Sequence, residues 1–251
     1  MKIALLSDIH ANRQALEACL AHARTQDAQQ FALLGDLVNY GADPVAVVEQ
    51  CMALAERGAI VLQGNHDVLA IAPPARMENL SDLCAPWTHA QLSPAHRAFL
   101  SALPLTARRD TALFVHASAD NPERWHYITD TTAAERSMRA ASQIDPAIRH
   151  IFSGHVHIQA LYFLTTTAKL MRFVPEPGVP VPVPTHRRWL AVVGAVGQPR
   201  DGDPRAAYAL FDTDAAQITF HRVPYDHAGA AAASRAAALP SYFADRLEQG
   251  R

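Results

Sequence analysis

Apolar residues fall into two rhythms along the chain. As far as residue 159, short apolar runs alternate with longer stretches in which apolar positions recur every three or four residues, the period of a helix face. KIALLS is followed by Asn12, a candidate N-cap, and by RQALEACLAHAR, where the stripe Leu16, Cys19, Leu20 and Ala23 predicts one buried face. FALLG leads through a turn at residues 40–44 into PVAVVEQCMALAERG, with Asp43 as N-cap, Pro44 at the first helical position and Gly58 as the stop. AIVLQ completes a βαβαβ unit, which requires parallel strands and right-handed crossovers. Residues 73–104 read as irregular and helical, with helix starts at Ser81 and Ser93-Pro94 and a stop at Pro104, and are expected to cover one edge of a site. TALFVH and HIFSGH are two more buried strands, with a helix between them from Thr132 to Ser142.

From Ala160 on, the texture changes to short alternating runs (ALYFL, KLMRFV, WLAVVG, AAYALFD and QITFHRV) that predict antiparallel strands. Residues 175–186, PEPGVPVPVPTH, carry five prolines spaced so that no central strand can contain them, and should form an extended surface loop or an edge. An Ala-rich stretch from Asp226 precedes SYFADRLEQG, a terminal helix expected to pack Tyr242, Phe243 and Leu247 on the body. The expected fold is α/β (α+β), a four-layer α-β-β-α sandwich of two mixed β-sheets flanked by helices. Residues 1–225 would be its domain, with 226–251 a C-terminal helical extension packed on it.

Composition narrows the classes of function. At 251 residues and 49% hydrophobic, the chain can bury a full core as one large domain. A net charge of −2 sets up no field toward a long nucleic acid tract or an anionic membrane, and the pairs Arg108-Arg109 and Arg187-Arg188 are too short for a polyanion track. The three cysteines form no C-x-x-C, and Cys19 and Cys51 fall on predicted helices as small buried hydrophobes. The chain opens directly on a strand and holds no apolar run long enough for a membrane span, so a soluble, reducing, cytoplasmic setting is expected.

The candidate chemistry sits where apolar runs end. ALLS stops at Asp8, ALLG at Asp36, VLQG at Asn65, LFV at His116 and IFSG at His155. Ligands collect beyond the carboxyl ends of strands in sheets with helical crossovers, so these residues are expected to converge. Asp8 and His10, like His155 and His157, are two apart and would point the same way on extended chain, whereas the adjacent Asn65 and His66 would point apart. That leaves one of the latter for metal and one for substrate. Imidazole with carboxylate and amide oxygens suits two divalent transition metal ions, Mn, Fe or Zn, better than calcium, and the absence of thiolate speaks against a structural zinc knot.

Asp8-Ile9-His10, Gly35-Asp36, Gly64-Asn65-His66-Asp67, Val115-His116 and Gly154-His155-Val156-His157, all in order, resemble the signature of the calcineurin-like metallophosphoesterases. The resemblance implies that Asp8, His10 and His157 hold one metal, that Asn65, His116 and His155 hold the other, and that Asp36 bridges them. It implies a hydroxide bridging the metals that attacks phosphorus, with His66 donating a proton to the departing oxygen or stabilising its charge. Asp67 either orients His66 or caps the following helix.

Residues 196–203, Val-Gly-Gln-Pro-Arg-Asp-Gly-Asp, resemble a loop in a bacterial branch of that family that includes phosphodiesterases and dinucleoside tetraphosphate hydrolases. In this reading Arg200 binds a second phosphate, with Arg13 and Tyr40 just beyond ligand loops; for each, the alternative is a structural role. Trp87 and Trp125 either stack a base or pack in the body. Two departures fall on the expected substrate side: Ala117-Ser118-Ala119 stands where the branch has Gly-Ser-Pro, and Val193-Gly194-Ala195 replaces an Asn-Pro-Gly-Ser lead. The expected activity is hydrolysis of a small phosphoester or nucleotide, as a phosphodiesterase or dinucleoside polyphosphate hydrolase. The competing readings are a phosphomonoesterase or serine/threonine-type phosphatase, and a catalytically idle scaffold, which would be expected to have lost a ligand or His66.

Overall fold

In the computed structural model, which describes residues 1–165, 167 and 169–251, the chain runs β1 (Lys2–Leu6), α1 (Arg13–Thr25), β2 (Gln30–Leu33), α2 (Pro44–Glu56), β3 (Ile60–Val61), α3 (Asn65–Ile71), α4 (Leu80–Gln91) and α5 (Pro94–Ala102). It continues with β4 (Thr106–Arg109), β5 (Ala112–Val115), a short 3-10 turn, α6 (Thr131–Ile144), β6 (His150–Ser153), β7 (Ala160–Leu164), β8 (Leu170–Phe173), β9 (Pro180–Pro182) and β10 (Trp189–Val192). β11 (Ala206–Asp212), β12 (Gln217–Val223), α7 (His227–Ala236) and α8 (Ser241–Gln249) close the chain.

The strands form two six-stranded sheets, in the orders β3-β2-β1-β11-β12-β9 and β4-β5-β6-β10-β7-β8. Alternation along each strand stacks the layers, because successive side chains face opposite ways. In β1, Ile3 and Leu5 point between the sheets, where they join Phe114 and Phe152 of the second sheet with Phe211 and Phe220 of their own. Ala4 and Leu6 point outward against Leu16 and Cys19 of α1 and Val47 and Cys51 of α2. On the far side, Leu113, Ile151 and Leu190 meet Ala134 and Met138 of α6. Two mixed sheets back to back between helices are the expected sandwich.

Several details depart from the sequence reading. β3 keeps only two residues, and β4, unrecognised in the sequence, pairs antiparallel with β5 through Thr106↔Val115. β10 is not wholly antiparallel: it runs parallel to β6 and antiparallel to β7. The proline segment supplies β9 at a sheet edge, where Val181 lies opposite Ile218 and missing N–H groups cost least. Asn12 caps α1 by accepting from the Ala15 N–H, but Asp43 makes no side-chain cap. The Ala-rich stretch is itself helical, as α7, and packs Ala230 and Ala231 against Ala244 and Leu247 of α8. Phe243 is buried as expected while Tyr242 stays exposed. Cys19, Cys51 and Cys84 are all free and buried.

Candidate metal centre and cleft

The turns that follow β1, β2, β5 and β6 meet at one end of both sheets. Asp8 N–H donates to Gly35 carbonyl (3.0 Å) and His10 N–H to Asp36 carbonyl (3.0 Å), joining the first two turns; the loop after β10 docks on them through Gly197 N–H to Asp8 carbonyl (2.9 Å). The backbone here is not extended. Asp8, His10, Asp36, His155 and His157 all have φ between 50° and 66°, the left-handed region, which costs a non-glycine residue about 1–3 kcal/mol. Spacing by two therefore does not fix a shared direction: His155 and His157 go to different clusters.

Asp8, His10 and His157 form one buried triad and Asp36, His116 and His155 a second, the ligand atoms of each lying within 4.8 Å of one another. Asn65 Oδ1 lies 3.2 Å from His116 Nε2. Asp36 Oδ2 stands between the triads, 3.3 Å from His116 Nε2 and 3.8 Å from His10 Nε2. Each carboxylate is held by one oxygen only: His155 N–H donates to Asp8 Oδ2 (2.8 Å) and His66 N–H to Asp36 Oδ1 (2.8 Å). Glycine makes both clamps possible. A Cβ on Gly154 would lie 1.8 Å from Ser7 Oγ, and one on Gly64 would lie 2.2 Å from Asp36 Oδ1.

The residues fit a pair of cations. The second oxygens, Asp8 Oδ1 and Asp36 Oδ2, are buried with no hydrogen-bond partner. His10 and His157 each place Nδ1 on a backbone carbonyl, of Val38 (3.3 Å) and Gln198 (2.6 Å), which puts the ring proton there and leaves a bare lone pair on Nε2. Those two Nε2 atoms face each other at 3.2 Å. His116 Nδ1 likewise sits on Leu34 carbonyl (2.8 Å), and its Nε2 faces His155 Nδ1 at 3.2 Å. The facing His10 and His157 lone pairs, beside orphaned carboxylate oxygens, repel unless a cation lies among them. Charge tells the same story: burial opposes ionisation of Asp36, yet the His116 and His66 imidazoles hold it well below the usual carboxylate range. Burial depresses His155 to about 3, while Asp36 overcomes burial at His116 and lifts it to about 9.

The centre opens into a cleft of about 510 Å³ lined by Asp36, Asn65, His66, His155 and His157, by the start of α4 at Asn79–Asp82, and by Trp125, Tyr127, Arg200 and Arg246. His66 Nε2 is 4.0 Å from Asp36 Oδ2 and 3.0 Å from the Tyr40 hydroxyl, which in turn lies 2.9 Å from Ser81 Oγ. Burial lowers His66 to about 4 and raises the Tyr40 phenol to about 12. Asp67 does not reach His66. Its Oδ1 accepts from Leu37 and Val38 N–H (2.9 and 3.2 Å) and its Oδ2 from Gly64 N–H (2.8 Å), so it caps α3 and ties down the turn after β2.

The residue that meets His66 Nδ1 is Asn39, which nothing in the sequence singles out. Its Nδ2 lies 2.9 Å from His66 Nδ1 and also donates to Ser81 carbonyl (3.2 Å), which identifies the amide nitrogen. Arg13 is not brought to the cleft: it pairs with Glu17 (3.4 Å) and Asp43 (3.8 Å). Trp87 packs beside Tyr40, Cys84 and Phe243, whereas Trp125 lines the cleft edge-on to His116. Among the described residues, no helix is long and apolar enough to cross a membrane.

Residues 1–216 match the calcineurin-like phosphoesterase superfamily domain. A metallophosphoesterase from Sphaerobacter thermophilus is similar in structure, with a TM-score of 0.86 and 35% identity, covering 100% of this chain and 99% of that one. An uncharacterised protein of Methanocaldococcus jannaschii is 29% identical over 99% of this chain and 98% of its own length. A symmetrical bis(5'-nucleosyl)-tetraphosphatase from Janthinobacterium is 36% identical over 116 residues, 45% of this chain and 41% of that enzyme. Two carboxylate-histidine triads in the turns of a double sheet are thus accompanied by a match along most of the sequence, and the chain belongs to the calcineurin-like phosphoesterase superfamily.

Proposed function

We infer that the protein hydrolyses phosphoesters at a dinuclear metal centre and acts on phosphodiesters or dinucleoside polyphosphates. The observation that carries this reading is the pair of bare carboxylate oxygens set among opposed imidazole lone pairs, on the floor of the cleft that also holds His66. Asp8, His10 and His157 would hold one metal and Asn65, His116 and His155 the other, with Asp36 reaching both. Bound there, Mn, Fe or Zn would supply Lewis-acid polarisation of phosphoryl oxygens and would acidify water.

The protein's own groups account for the rest. Asn39 donates to His66 Nδ1, so the proton of the neutral ring sits on Nε2, on the cleft side. With Nδ1 held as an acceptor, the neutral ring presents its Nε2 proton to the departing oxygen and stabilises the charge that develops there. Arg200, lining the same cleft, would hold charge beyond the reacting phosphorus, and such remote binding energy can be used at the reacting centre. A monoester offers that arginine nothing to hold.

The test is a kcat/KM panel on Mn²⁺-loaded protein with bis-p-nitrophenyl phosphate, diadenosine tetraphosphate, p-nitrophenyl phosphate and a phosphopeptide. The first two are expected to be cleaved more efficiently than the last two. Preference for the monoester or the phosphopeptide would replace this reading with a phosphatase, and no turnover of any substrate would leave a scaffold.

A further inference from the structure

Arg246, on the last helix, reaches the cleft from outside the residues that match the family. Its Nη1 lies 3.4 Å from Gln198 Oε1, the oxygen that also accepts from Arg200 Nη2 (2.9 Å) and Nε (3.3 Å). Its guanidinium stacks over the Tyr242 ring at 4.7 Å, which fixes its plane. Two half-buried cations thus share one neutral acceptor. Nearby arginines are neutralised, Arg205 by Asp203 and Arg222 by Asp201, but among the described residues neither Arg200 nor Arg246 has a carboxylate partner. Burial, and after it the charge of Arg200, lower the pKa of Arg246, the mark of a cation lacking its counter-ion.

The pair is also tied to the metal centre. Gln198 carbonyl accepts from the His157 ring (2.6 Å), and Arg200 N–H donates to the His157 carbonyl (3.3 Å), so the loop that orients a metal ligand carries one guanidinium and anchors the other. Two planar forks present several N–H donors toward one region, the arrangement suited to phosphate oxygens. We propose that Arg246 and Arg200 bind a second phosphate, joined by an anhydride bond to the phosphate at the metal centre, so that the substrate is a nucleoside or dinucleoside polyphosphate rather than a simple diester. This rests on the phosphoester-hydrolase reading above and selects between its two substrate classes.

The experiment uses the full chain as wild type, Arg246→Gln and Arg246→Lys, with two readouts. The first is the ratio of kcat/KM for diadenosine tetraphosphate to that for bis-p-nitrophenyl phosphate, with Mn²⁺. The second is calorimetric binding of inorganic tripolyphosphate to chelator-treated protein, which needs no turnover. Loss of one charge-assisted contact predicts that Arg246→Gln lowers the ratio and weakens tripolyphosphate binding by about 10–100-fold. Arg246→Lys, which keeps the charge and loses the fork, is expected to shift both by less and serves if the Gln variant fails to fold. An unchanged ratio or unchanged tripolyphosphate affinity in the folded variants overturns the clamp while leaving phosphoester hydrolysis intact. A wild type that cleaves neither substrate refutes the hydrolase instead, and calorimetry still decides the clamp.

Discussion

The two walls of the cleft are built by different means. The wall that carries the two carboxylate-histidine triads comes from turns after strands, its groups clamped by backbone hydrogen bonds within a few positions of the strands they follow. The opposite wall comes from helices: Ser81 at the start of α4, and Tyr242, Phe243 and Arg246 on α8. Phe243 stacks on Tyr40 at 4.5 Å, and Tyr40 touches His66, so His66 stands where the walls meet. A wall of strand turns is set by the sheet itself, whereas a wall of helices depends on how distant segments dock.

The largest effect that could break this contrast is at Asp36, the carboxylate reaching both triads. Asp36→Asn is expected to empty both sites and lower kcat/KM by at least about 10⁴-fold, since binding of both cations fails together. Elemental analysis after Mn²⁺ reconstitution should give two metals per wild-type chain and fewer than one in the variant; a single metal in the wild type would refute the dinuclear centre. At the junction of the walls, His66→Ala should keep both metals while kcat falls by on the order of 10²–10⁴. Asn39→Leu, which removes the donor to Nδ1, is expected to cost about tenfold in kcat and to shift the acidic limb of the rate profile. A collapse of metal content in His66→Ala would make His66 a ligand.

Acid should loosen the protein even where catalysis is not measured. Burial puts the folded pKa of His66 and of His221 at about 4 and that of His155 at about 3, all below the unfolded value of 6.5. A depressed histidine pKa means that the unfolded chain binds more protons in this window, so the stability these three rings contribute is complete above about pH 6.5 and is lost progressively toward pH 4. Chelator-treated protein is therefore expected to melt at falling temperatures from pH 6.5 to 4 in a calorimetric series, and a flat profile would contradict the buried neutral rings. The smallest expected effect is at Arg13, whose partners are Glu17 and Asp43 on the surface. Arg13→Ala should change kcat/KM less than about twofold and stability by less than about 1 kcal/mol; a tenfold kinetic loss would return Arg13 to the substrate side.

How much of this was legible in the sequence follows the same division. Asp8, Asp36, His116 and His155 can be located because each follows an apolar run, and a run that fills a strand must release the chain into a turn; Asn65 follows such a run too, but opens α3. These positions converge in space, but extended geometry does not pair them, since left-handed turns redirect side chains in a way that spacing alone does not reveal. Sequence adjacency leaves Asp67 open between orienting His66 and capping a helix, and gives no sign of Asn39. The N–H groups of the β2 turn claim Asp67, and Asn39 reaches His66 from another loop. β4 escaped notice because TARR has no apolar alternation, its register coming from pairing with β5. Arg246 gave no signal at all, since an arginine on an amphipathic terminal helix looks like any solvated one until the helix docks.

The pairing of β1 with β11 has a consequence for how the protein is made. β1 is flanked by β2 on one side, but its other partner begins at Ala206, and Lys2 finds its place opposite Asp212 only after the long intervening segment has been made. At about 5–20 residues per second, the open edge of β1 waits on the order of 10–40 s, time in which an unpaired apolar strand can recruit the wrong neighbour. Native completion of this sheet is therefore a late event in synthesis. A chain stopped at residue 205 is expected to aggregate or to stay bound to a chaperone in a cell-free translation assay, whereas one stopped at residue 225, with both late strands present, should gain protease resistance.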